Sequence, residues 1–221
     1  MDTPKAWLFD LDGVIVETAD LHFKSWKRLA DSLDIPFGEE ENQALKGVSR
    51  RKSIEEILAL DNRTLPEEEI QQLMDKKNGW YQDSIAELTP DDILEGIPEF
   101  LEELQQMGVK LGIGSSSKNA QFIMDYLKIN DIFEVVIDGT KVEKTKPNPE
   151  VFLKGANALG AKPSETLVFE DAASGVEAAL AGGMTCVGVG SEEHLGDADL
   201  VISTFEGLTP QALLEKLEHK Q

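Results

Sequence analysis

The sequence predicts an α/β fold in which a Rossmann-like parallel sheet carries an inserted, all-helical cap domain. Short apolar segments alternate with helical segments through the second half of the chain, as expected for a parallel sheet covered on both faces. The stretch from about residue 18 to about residue 88 breaks this rhythm, because it contains helical patterns and no convincing strand. A helical block between the first strand and the rest of the sheet is the arrangement expected of an inserted domain.

Six short apolar segments are the predicted strands. They are residues 6–9, 109–113, 135–137, 167–169, 186–189 and 200–202. The helical segments between the later strands are residues 98–107, 120–127, 149–159, 174–181 and 210–217. Glycines follow several of these helices and prolines begin others, which is the usual pattern at helix ends.

The predicted cap domain contains four helices. They are residues 19–33, 40–45, 53–60 and 66–84. Ser53 and Glu56 have the spacing of a capping box at the start of the third helix, and Trp26 is expected in the cap core. Hinges are expected near residues 16–18 and 88–96. We therefore predict a core domain over residues 1–17 and 89–221 and a cap domain over residues 18–88.

Charge and composition restrict the class of protein. The formal net charge is −21 at pH 7, which argues against nucleic acids and anionic membranes as partners, since both require a basic surface. No apolar segment reaches the roughly 18 residues of a membrane span, and the first strand leaves no room for a signal peptide. Cys186, the only cysteine, is expected to be buried. A cytoplasmic location is the resulting expectation.

Polar side chains follow four of the predicted strands. They are Asp10, Asp12, Ser115, Lys146, Glu170 and Asp171. Because ligands of open α/β sheets bind outside the carboxyl ends of the strands, we expect these side chains to converge. Clustered carboxylates repel one another unless a cation lies among them, and oxygen ligands suit Mg²⁺. A hydroxyl and a lysine can donate to phosphoryl oxygens, and a carboxylate nucleophile can form an aspartyl-phosphate.

These residues resemble, in order, the four motifs of the haloacid dehalogenase superfamily. The matching positions are residues 10–14, Ser115, residues 146–147 and residues 170–171, and the resemblance covers essentially the whole chain. It implies that Asp10 is the phosphorylated nucleophile and that Asp12 is a general acid/base. The residues implied to hold Mg²⁺ are Asp10, the Asp12 carbonyl, Glu170 and Asp171. Those implied to bind the transferred phosphoryl group are Ser115, Ser116 and Lys146.

Residues 21–26, 45–50 and 115–119 resemble the β-phosphoglucomutases within that superfamily. This implies interconversion of β-glucose 1-phosphate and glucose 6-phosphate through a glucose 1,6-bisphosphate intermediate. The second, non-reacting phosphate would be held by Arg50, Ser117, Lys118 and Asn119. The cap residues implied in sugar binding or closure are His22, Lys46, Gly47, Lys77 and Asn78. The backbone N–H groups at residues 117–119 are expected to face an anion, since they open a helix.

Two alternatives remain open on the sequence. A sugar-phosphate phosphatase would use the same nucleophile and metal but would pass the phosphoryl group to water. A non-catalytic sugar-phosphate sensor would bind without turnover. A mutase must exclude water from the aspartyl-phosphate, and the helical cap is the expected lid. Small sugar phosphates are the expected partners, and the chain is expected to be a monomer.

Overall fold

The computed structural model describes residues 3–45 and 48–220. Over these residues the strands are β1 (Ala6–Phe9), β2 (Lys110–Gly114), β3 (Val135–Ile137), β4 (Thr166–Glu170), β5 (Thr185–Val189) and β6 (Leu200–Ile202). They form one sheet in the order β3-β2-β1-β4-β5-β6, and every neighbouring pair is parallel. Each predicted strand is present, with its ends shifted by no more than one residue. The predicted α/β fold class is confirmed.

The helices fall into two groups. Between β1 and β2 lie α1 (Ala19–Ser32), α2 (Glu39–Gln43), α3 (Arg50–Ala59) and α4 (Glu67–Ile85). The others are α5 (Ile97–Gln106), α6 (Ala120–Leu127), α7 (Glu150–Ala158), α8 (Ala173–Ala181), α9 (Glu192–Leu195) and α10 (Pro210–Lys220). The short helix α9 was absent from the sequence prediction. No helix of the described residues is long and apolar enough to cross a membrane.

The central strand β1 is buried on both faces of the sheet. Trp7 and Phe9 point into an apolar cluster that includes Phe100 of α5, whereas Leu8 points into a second cluster with Phe152 of α7. Side chains of a strand alternate between its faces, so a strand covered on both sides is apolar throughout. The carboxyl end of β1 is therefore held by packing on both faces. Cys186 is buried in the second cluster, as predicted.

Residues 19–85 form a helical insert with an apolar core of its own. Trp26 of α1, Ile57 of α3 and Met74 of α4 belong to this third cluster, and Trp26 is buried there as predicted. The two chain segments that join the insert to the sheet lie side by side, since Val16 forms an antiparallel bridge with Ile93. The domain boundaries at residues 18 and 88 stay a prediction.

The predicted capping box at Ser53 is wrong. Helix α3 begins three residues earlier, and Ser49 is its N-cap, with Ser49 Oγ accepting a hydrogen bond from the N–H of Lys52 at 3.3 Å. Ser53 lies within the first turns, where its hydroxyl donates to Ser49 O at 3.2 Å. Either serine could cap a helix by its chemistry, but only Ser49 has the extended backbone that an N-cap requires.

Candidate active site

The carboxyl ends of the parallel strands meet at one edge of the sheet, below the helical insert. Asp10 directly follows β1, and its N–H donates to Phe169 O of β4 at 2.9 Å. Ser115 directly follows β2, and its N–H donates to Ile137 O of β3 at 2.9 Å. Sheet hydrogen bonding thus continues through the first polar residue after β1 and after β2, and it fixes where the side chains of Asp10 and Ser115 emerge.

Most residues predicted from the sequence line one cavity at this edge. They are Asp10, Asp12, His22, Arg50, Lys77, Ser115, Ser116, Ser117, Lys118, Asn119, Lys146, Glu170 and Asp171. Of the described residues predicted for the site, Asn78 does not line the cavity and instead contacts Asn119. Lys46 and Gly47 lie outside the described residues. Trp26 belongs to the core of the insert and also to the cavity wall.

Three carboxylates form an acidic cluster on the floor of the cavity. One ligand oxygen from each of Asp10, Glu170 and Asp171 lies within 4.8 Å of the other two. Burial raises the pKa of Glu170 to about 7 and the pKa of Asp171 to about 8, and the charge of Asp10 adds to both increases. Carboxylate oxygens are the ligands of hard divalent cations, whose charge relieves such repulsion. The donor set therefore fits a divalent metal.

Replacing Asp171 by asparagine should stabilise the metal-free protein. Because the pKa of Asp171 is raised, folding must either bury its charge beside other carboxylates or protonate it, and asparagine avoids both costs. We therefore expect the thermal midpoint in a chelator to rise by about 2–4 °C, and the increase caused by Mg²⁺ to be largely lost. Differential scanning fluorimetry with and without Mg²⁺ measures both quantities. The exposed Asp83→Asn variant is the matched control and should change neither. A lower metal-free midpoint for Asp171→Asn would show that the cluster is not repulsive.

Two glycines leave room for the acidic cluster. Gly13 has a φ of +78°, and a Cβ at this position would overlap the carboxylate of Asp171. Gly175 of α8 lies against the carboxylate of Glu170, which a Cβ would likewise overlap. Glycine permits both the left-handed backbone and the close approach. The two turns can therefore pack directly against the carboxylates and hold them in place.

Lys146 links two members of the acidic cluster. Its Nζ lies 3.0 Å from Asp10 Oδ1 and also pairs with the carboxylate of Glu170. Burial by itself lowers the pKa of Lys146, but the charges of Asp10 and Glu170 outweigh burial and raise it overall. The ammonium group therefore stays protonated beside Asp10, where it can neutralise part of a bound anion.

Glu150, which sequence reasoning missed, holds the loop that carries Lys146. Its carboxylate accepts hydrogen bonds from the N–H groups of Glu143 at 3.1 Å and Lys144 at 2.9 Å. Lys154 pairs with it at 2.6 Å, and this pair together with the two N–H groups lowers the pKa of Glu150 to about 2. The partners of Glu150 in the loop are backbone groups, which leave no trace in the sequence pattern.

The serines after β2 are oriented by their own loop. The N–H of Ser117 donates to Ser115 Oγ at 3.0 Å, and the N–H of Asn119 donates to Ser117 Oγ at 3.1 Å. Because each hydroxyl oxygen already accepts a backbone hydrogen bond, its O–H is left to donate to a ligand. Ser115 and Ser117 are thus prepared to donate to an anion in the cavity.

The same bonds overturn part of the prediction about the start of α6. The N–H groups of Ser117 and Asn119 do not face the cavity as free donors, because serine hydroxyls two residues earlier accept them. Serine and threonine commonly capture backbone groups in this local way. In the part of the chain that is described, the N–H groups of Ser116 and Lys118 form no hydrogen bond, so they are the loop amides available to an anion.

Two buried polar atoms of the cavity lack a hydrogen-bond partner within residues 3–45 and 48–220. They are Ser116 Oγ and Asp10 Oδ1, the latter being the atom that forms the ion pair with Lys146. The charge of Lys146 stabilises Asp10 Oδ1 from 3.0 Å, whereas no such partner is found for Ser116 Oγ among the described residues. A buried polar atom left without a hydrogen bond costs about 1–3 kcal/mol and calls for a specific explanation. A bound anion could accept a hydrogen bond from the hydroxyl of Ser116 beside Asp10.

Asp12 is held by two residues that sequence reasoning missed. Thr18 Oγ1 donates to Asp12 Oδ1, and Tyr81 OH donates to the same oxygen at 3.4 Å. Burial, followed by the charge of Asp10, raises the pKa of Asp12 to about 6 despite these hydrogen bonds. A carboxyl group with a pKa near neutrality can both give and accept a proton. Tyr81 lies four residues after Lys77 on α4, so helical spacing from a predicted residue was the available signal.

The helical insert contributes a wall of basic and aromatic side chains to the cavity. Lys77 Nζ lies 2.9 Å from His22 Nδ1, and the His22 ring stacks on Tyr81 with centroids 4.0 Å apart. Burial and the charge of Arg50 lower the pKa of Lys77 to about 7, and burial together with Lys77 holds the pKa of His22 well below its ordinary value. Arg50 has no ion-pair partner within the described ranges. This wall can therefore attract an anion.

The chain matches characterised proteins over nearly its full length. Residues 7–189 match a family described as haloacid dehalogenase-like hydrolase. The sequence is 42% identical over 216 residues to a β-phosphoglucomutase of Bacillus subtilis (strain 168), with 97% of this chain and 96% of that protein covered. It is 28% identical over 218 residues to a phosphorylated carbohydrates phosphatase of Thermotoga maritima, covering 97% and 98% of the two chains.

Solved structures show the same architecture. The crystal structure of a β-phosphoglucomutase from Clostridium difficile has a TM-score of 0.93 with this chain at 37% sequence identity, and the match covers 97% of each chain. The similarity extends through the sheet and the helical insert alike. The family match spans most of the sequence, and the acidic, hydroxyl and lysine residues of the cavity lie within it or within the near full-length alignments. The chain belongs to the haloacid dehalogenase-like hydrolase family.

Proposed function

We propose that this protein interconverts β-D-glucose 1-phosphate and D-glucose 6-phosphate, the reaction of the β-phosphoglucomutases to which it is similar. One observation carries the proposal. Asp10, Asp12 and Arg50 line one cavity, and Arg50 has no ion-pair partner among the residues that the structure describes. A mutase that works through a bisphosphate must hold two phosphates at once, whereas hydrolysis of a monophosphate requires only one phosphate site.

Asp10 is the proposed carrier of the phosphoryl group. Phosphorylated Asp10 passes the group to a hydroxyl of the bound monophosphate, while Asp12 accepts the hydroxyl proton. The bisphosphate then presents its other phosphate to Asp10, whose carboxylate attacks phosphorus as Asp12 returns a proton to the departing sugar oxygen. Each half-reaction forms one P–O bond and breaks another. The proton that Asp12 accepts in the first half-reaction is the one it returns in the second.

The metal of this site is proposed to be Mg²⁺, held by Asp10, Glu170, Asp171 and the backbone carbonyl of Asp12. When bound, it would supply positive charge that offsets the phosphoryl oxygens. Ser115, Ser116 and Lys146 are proposed to hold the same phosphoryl group. The N–H of Ser116 and its unpaired hydroxyl are both available for this contact. Positioning and charge neutralisation are the main requirements of phosphoryl transfer.

The second phosphate is proposed to bind between Arg50 and the loop of residues 117–119. Ser117 supplies an oriented hydroxyl, and Lys118 supplies a charge and a free backbone N–H. Arg50 adds a guanidinium group, which suits bidentate recognition of phosphate. His22 and Lys77 line the same cavity as Arg50 and Asp12, where they can contact the sugar or orient the acid/base group.

The helical insert is the proposed lid over the cavity. The division into a core domain (residues 1–17 and 89–221) and a cap domain (residues 18–88), the monomeric state and the cytoplasmic location belong to the same proposal. The separate apolar core of the insert and the adjacent connecting segments at Val16 and Ile93 support two units that can move relative to each other. A lid of this kind protects phospho-Asp10 from water.

A product assay tests the proposed function. The protein is supplied with Mg²⁺, β-glucose 1-phosphate and a trace of glucose 1,6-bisphosphate, and glucose 6-phosphate and free phosphate are followed together. A mutase forms glucose 6-phosphate faster than free phosphate. The reverse order would establish the alternative, a sugar-phosphate phosphatase, which the similarity to the phosphatase of Thermotoga maritima makes the relevant competitor. Binding without either product would identify a sensor.

Replacing Arg50 by alanine should reduce mutase activity more than hydrolysis of a small phosphate ester. Mutase turnover needs the second phosphate site, and loss of a charged hydrogen-bonding partner there is worth about 1.5–3 kcal/mol, or roughly 10–150-fold in kcat/KM. Hydrolysis of p-nitrophenyl phosphate needs only the first site and should change little. Steady-state kinetics with both substrates give the comparison.

Arg51 provides the matched control for Arg50. It is the next residue of α3, but its guanidinium group pairs with Glu55 and Glu67 at the exposed surface. Arg51→Ala removes the same chemical group from outside the cavity and should leave both activities within about twofold, since exposed ion pairs contribute little. Equal losses of both activities in Arg50→Ala would exclude Arg50 as the site of the second phosphate.

A further inference from the structure

The side chain of Asn119 joins the phosphate-binding loop to the helical insert. Gln82 Nε2 donates to Asn119 Oδ1 at 3.2 Å, and Asn119 Nδ2 donates to Asn78 Oδ1 at 3.0 Å. Asn78 and Gln82 are four residues apart on α4, so they project from the same face of that helix. We call these three side chains, Asn78, Asn119 and Gln82, the amide latch.

The side chain of Asn119 contacts the insert although its position at the start of α6 would favour a helix cap. Asn119 is the N-cap residue of α6, where an asparagine side chain ordinarily accepts a hydrogen bond from the first turn of its own helix. Here the side chain makes no capping hydrogen bond. Its carboxamide is directed to the insert instead, although the residue is only 4% exposed. Helix α6 thus lacks the stabilising N-cap hydrogen bond, and the side chain connects the loop to the insert instead.

The hydrogen-bond inventory of Asn119 shows what the amide latch leaves available. A carboxamide has one oxygen and two N–H donors. The oxygen accepts from Gln82 and one N–H donates to Asn78, which leaves a single N–H in a residue that lines the cavity. Oδ1 faces Gln82 and Nδ2 faces Asn78, so these two residues of α4 together hold the carboxamide in this orientation. Loss of the Gln82 contact would free one side of the carboxamide, and the direction of the remaining N–H would no longer be fixed.

We propose that Gln82 is a positioning residue, and that the amide latch fastens α4 to the loop of residues 115–119 and orients Asn119 towards bound phosphate. Its role in turnover rests on the proposed function, since it acts by keeping the insert over phospho-Asp10. Gln82 itself does not line the cavity. It affects the reaction only through Asn119 and through the position of α4.

Gln82→Met tests the amide latch, because methionine has a similar length and neither amide donor nor amide oxygen. Gln71→Met is the matched control, since Gln71 is an exposed residue of the same helix whose amide donates to Asp75 of that helix at 2.9 Å. Hydrogen exchange measured by mass spectrometry reports opening of residues 115–127 in the ligand-free protein. We expect Gln82→Met to raise exchange there about 3–10-fold, as loss of one hydrogen bond predicts, and Gln71→Met to leave it unchanged. Parent-like exchange in Gln82→Met would overturn the fastening.

The effect on turnover is read from the ratio of free phosphate to glucose 6-phosphate. We expect this ratio to rise about 3–10-fold in Gln82→Met and to stay constant in Gln71→Met, since a loosened insert admits water to phospho-Asp10. A merely destabilised protein would lose both products in proportion, so an unchanged ratio overturns the positioning role. If the parent protein forms no glucose 6-phosphate, the proposed function is wrong, and hydrogen exchange alone decides whether the amide latch exists.

Discussion

Asp10→Asn should abolish turnover of sugar phosphates, with a loss of at least about 10⁴-fold in kcat. The asparagine amide is no nucleophile towards phosphorus, and no other carboxylate of the cavity has the same surroundings. Asp10 is the carboxylate that directly follows the central strand, and it pairs there with Lys146. Rapid-quench kinetics with β-glucose 1-phosphate and the bisphosphate measure the loss.

The fold should survive this substitution. Asparagine has the shape of aspartate, and one charge fewer in the acidic cluster reduces repulsion among the remaining carboxylates. We therefore expect a thermal midpoint equal to or above that of the parent, and no phosphoryl adduct in the intact mass after incubation with the bisphosphate. Turnover by Asp10→Asn within tenfold of the parent rate would refute Asp10 as the nucleophile.

Asp12→Ala should reduce phosphoryl transfer to and from sugar hydroxyls by about 10²–10⁴-fold, the usual contribution of a general acid/base. A sugar oxygen leaves poorly without a proton, and a sugar hydroxyl attacks poorly unless its proton is removed. Asp12 is suited to both tasks because burial raises its pKa to about 6. Single-turnover rates of phospho-enzyme with glucose 6-phosphate give the effect directly.

The choice of leaving group separates acid/base chemistry from a general loss of structure. p-Nitrophenolate leaves without a proton, so phosphorylation of Asp10 by p-nitrophenyl phosphate should fall much less in Asp12→Ala than transfer from the bisphosphate. Thr18 and Tyr81 lose their common partner in this variant, and a thermal melt shows whether the insert is affected. A comparable loss with both donors would mean that Asp12 serves the structure of the site and not proton transfer.

The strands and the polar residues that follow them could be predicted because their signal is local. A segment such as Ala6–Phe9 is apolar throughout since both faces of the sheet are covered, and Asp10 marks the point where that covering ends. Each strand was therefore identified within one residue of its end. The predicted convergence of Asp10, Ser115 and Glu170 followed from those ends, because parallel strands bring their carboxyl ends to the same edge. The cavity residues of the insert were predicted from the family resemblance instead.

The contacts between the insert and the sheet could be predicted only in part. Tyr81 and Gln82 lie four residues after Lys77 and Asn78, so the helical repeat of α4 places them on the same faces as residues already identified. Their partners, Asp12 and Asn119, depend on how the insert is seated over the sheet, which no local pattern encodes. The start of α3 was misplaced for a related reason, since Ser49 and Ser53 have the same chemistry and differ in backbone conformation.

The pairing of Val16 with Ile93 has a consequence for how this architecture can diversify. The chain leaves the sheet and returns to it at adjacent points, so the connectivity of the sheet does not depend on what lies between them. Residues 19–85 can therefore lengthen, shorten or be exchanged for another module while Asp10, Lys146 and Glu170 keep their positions. Selection for a new substrate can therefore change the insert alone, while the residues that carry out phosphoryl transfer stay as they are.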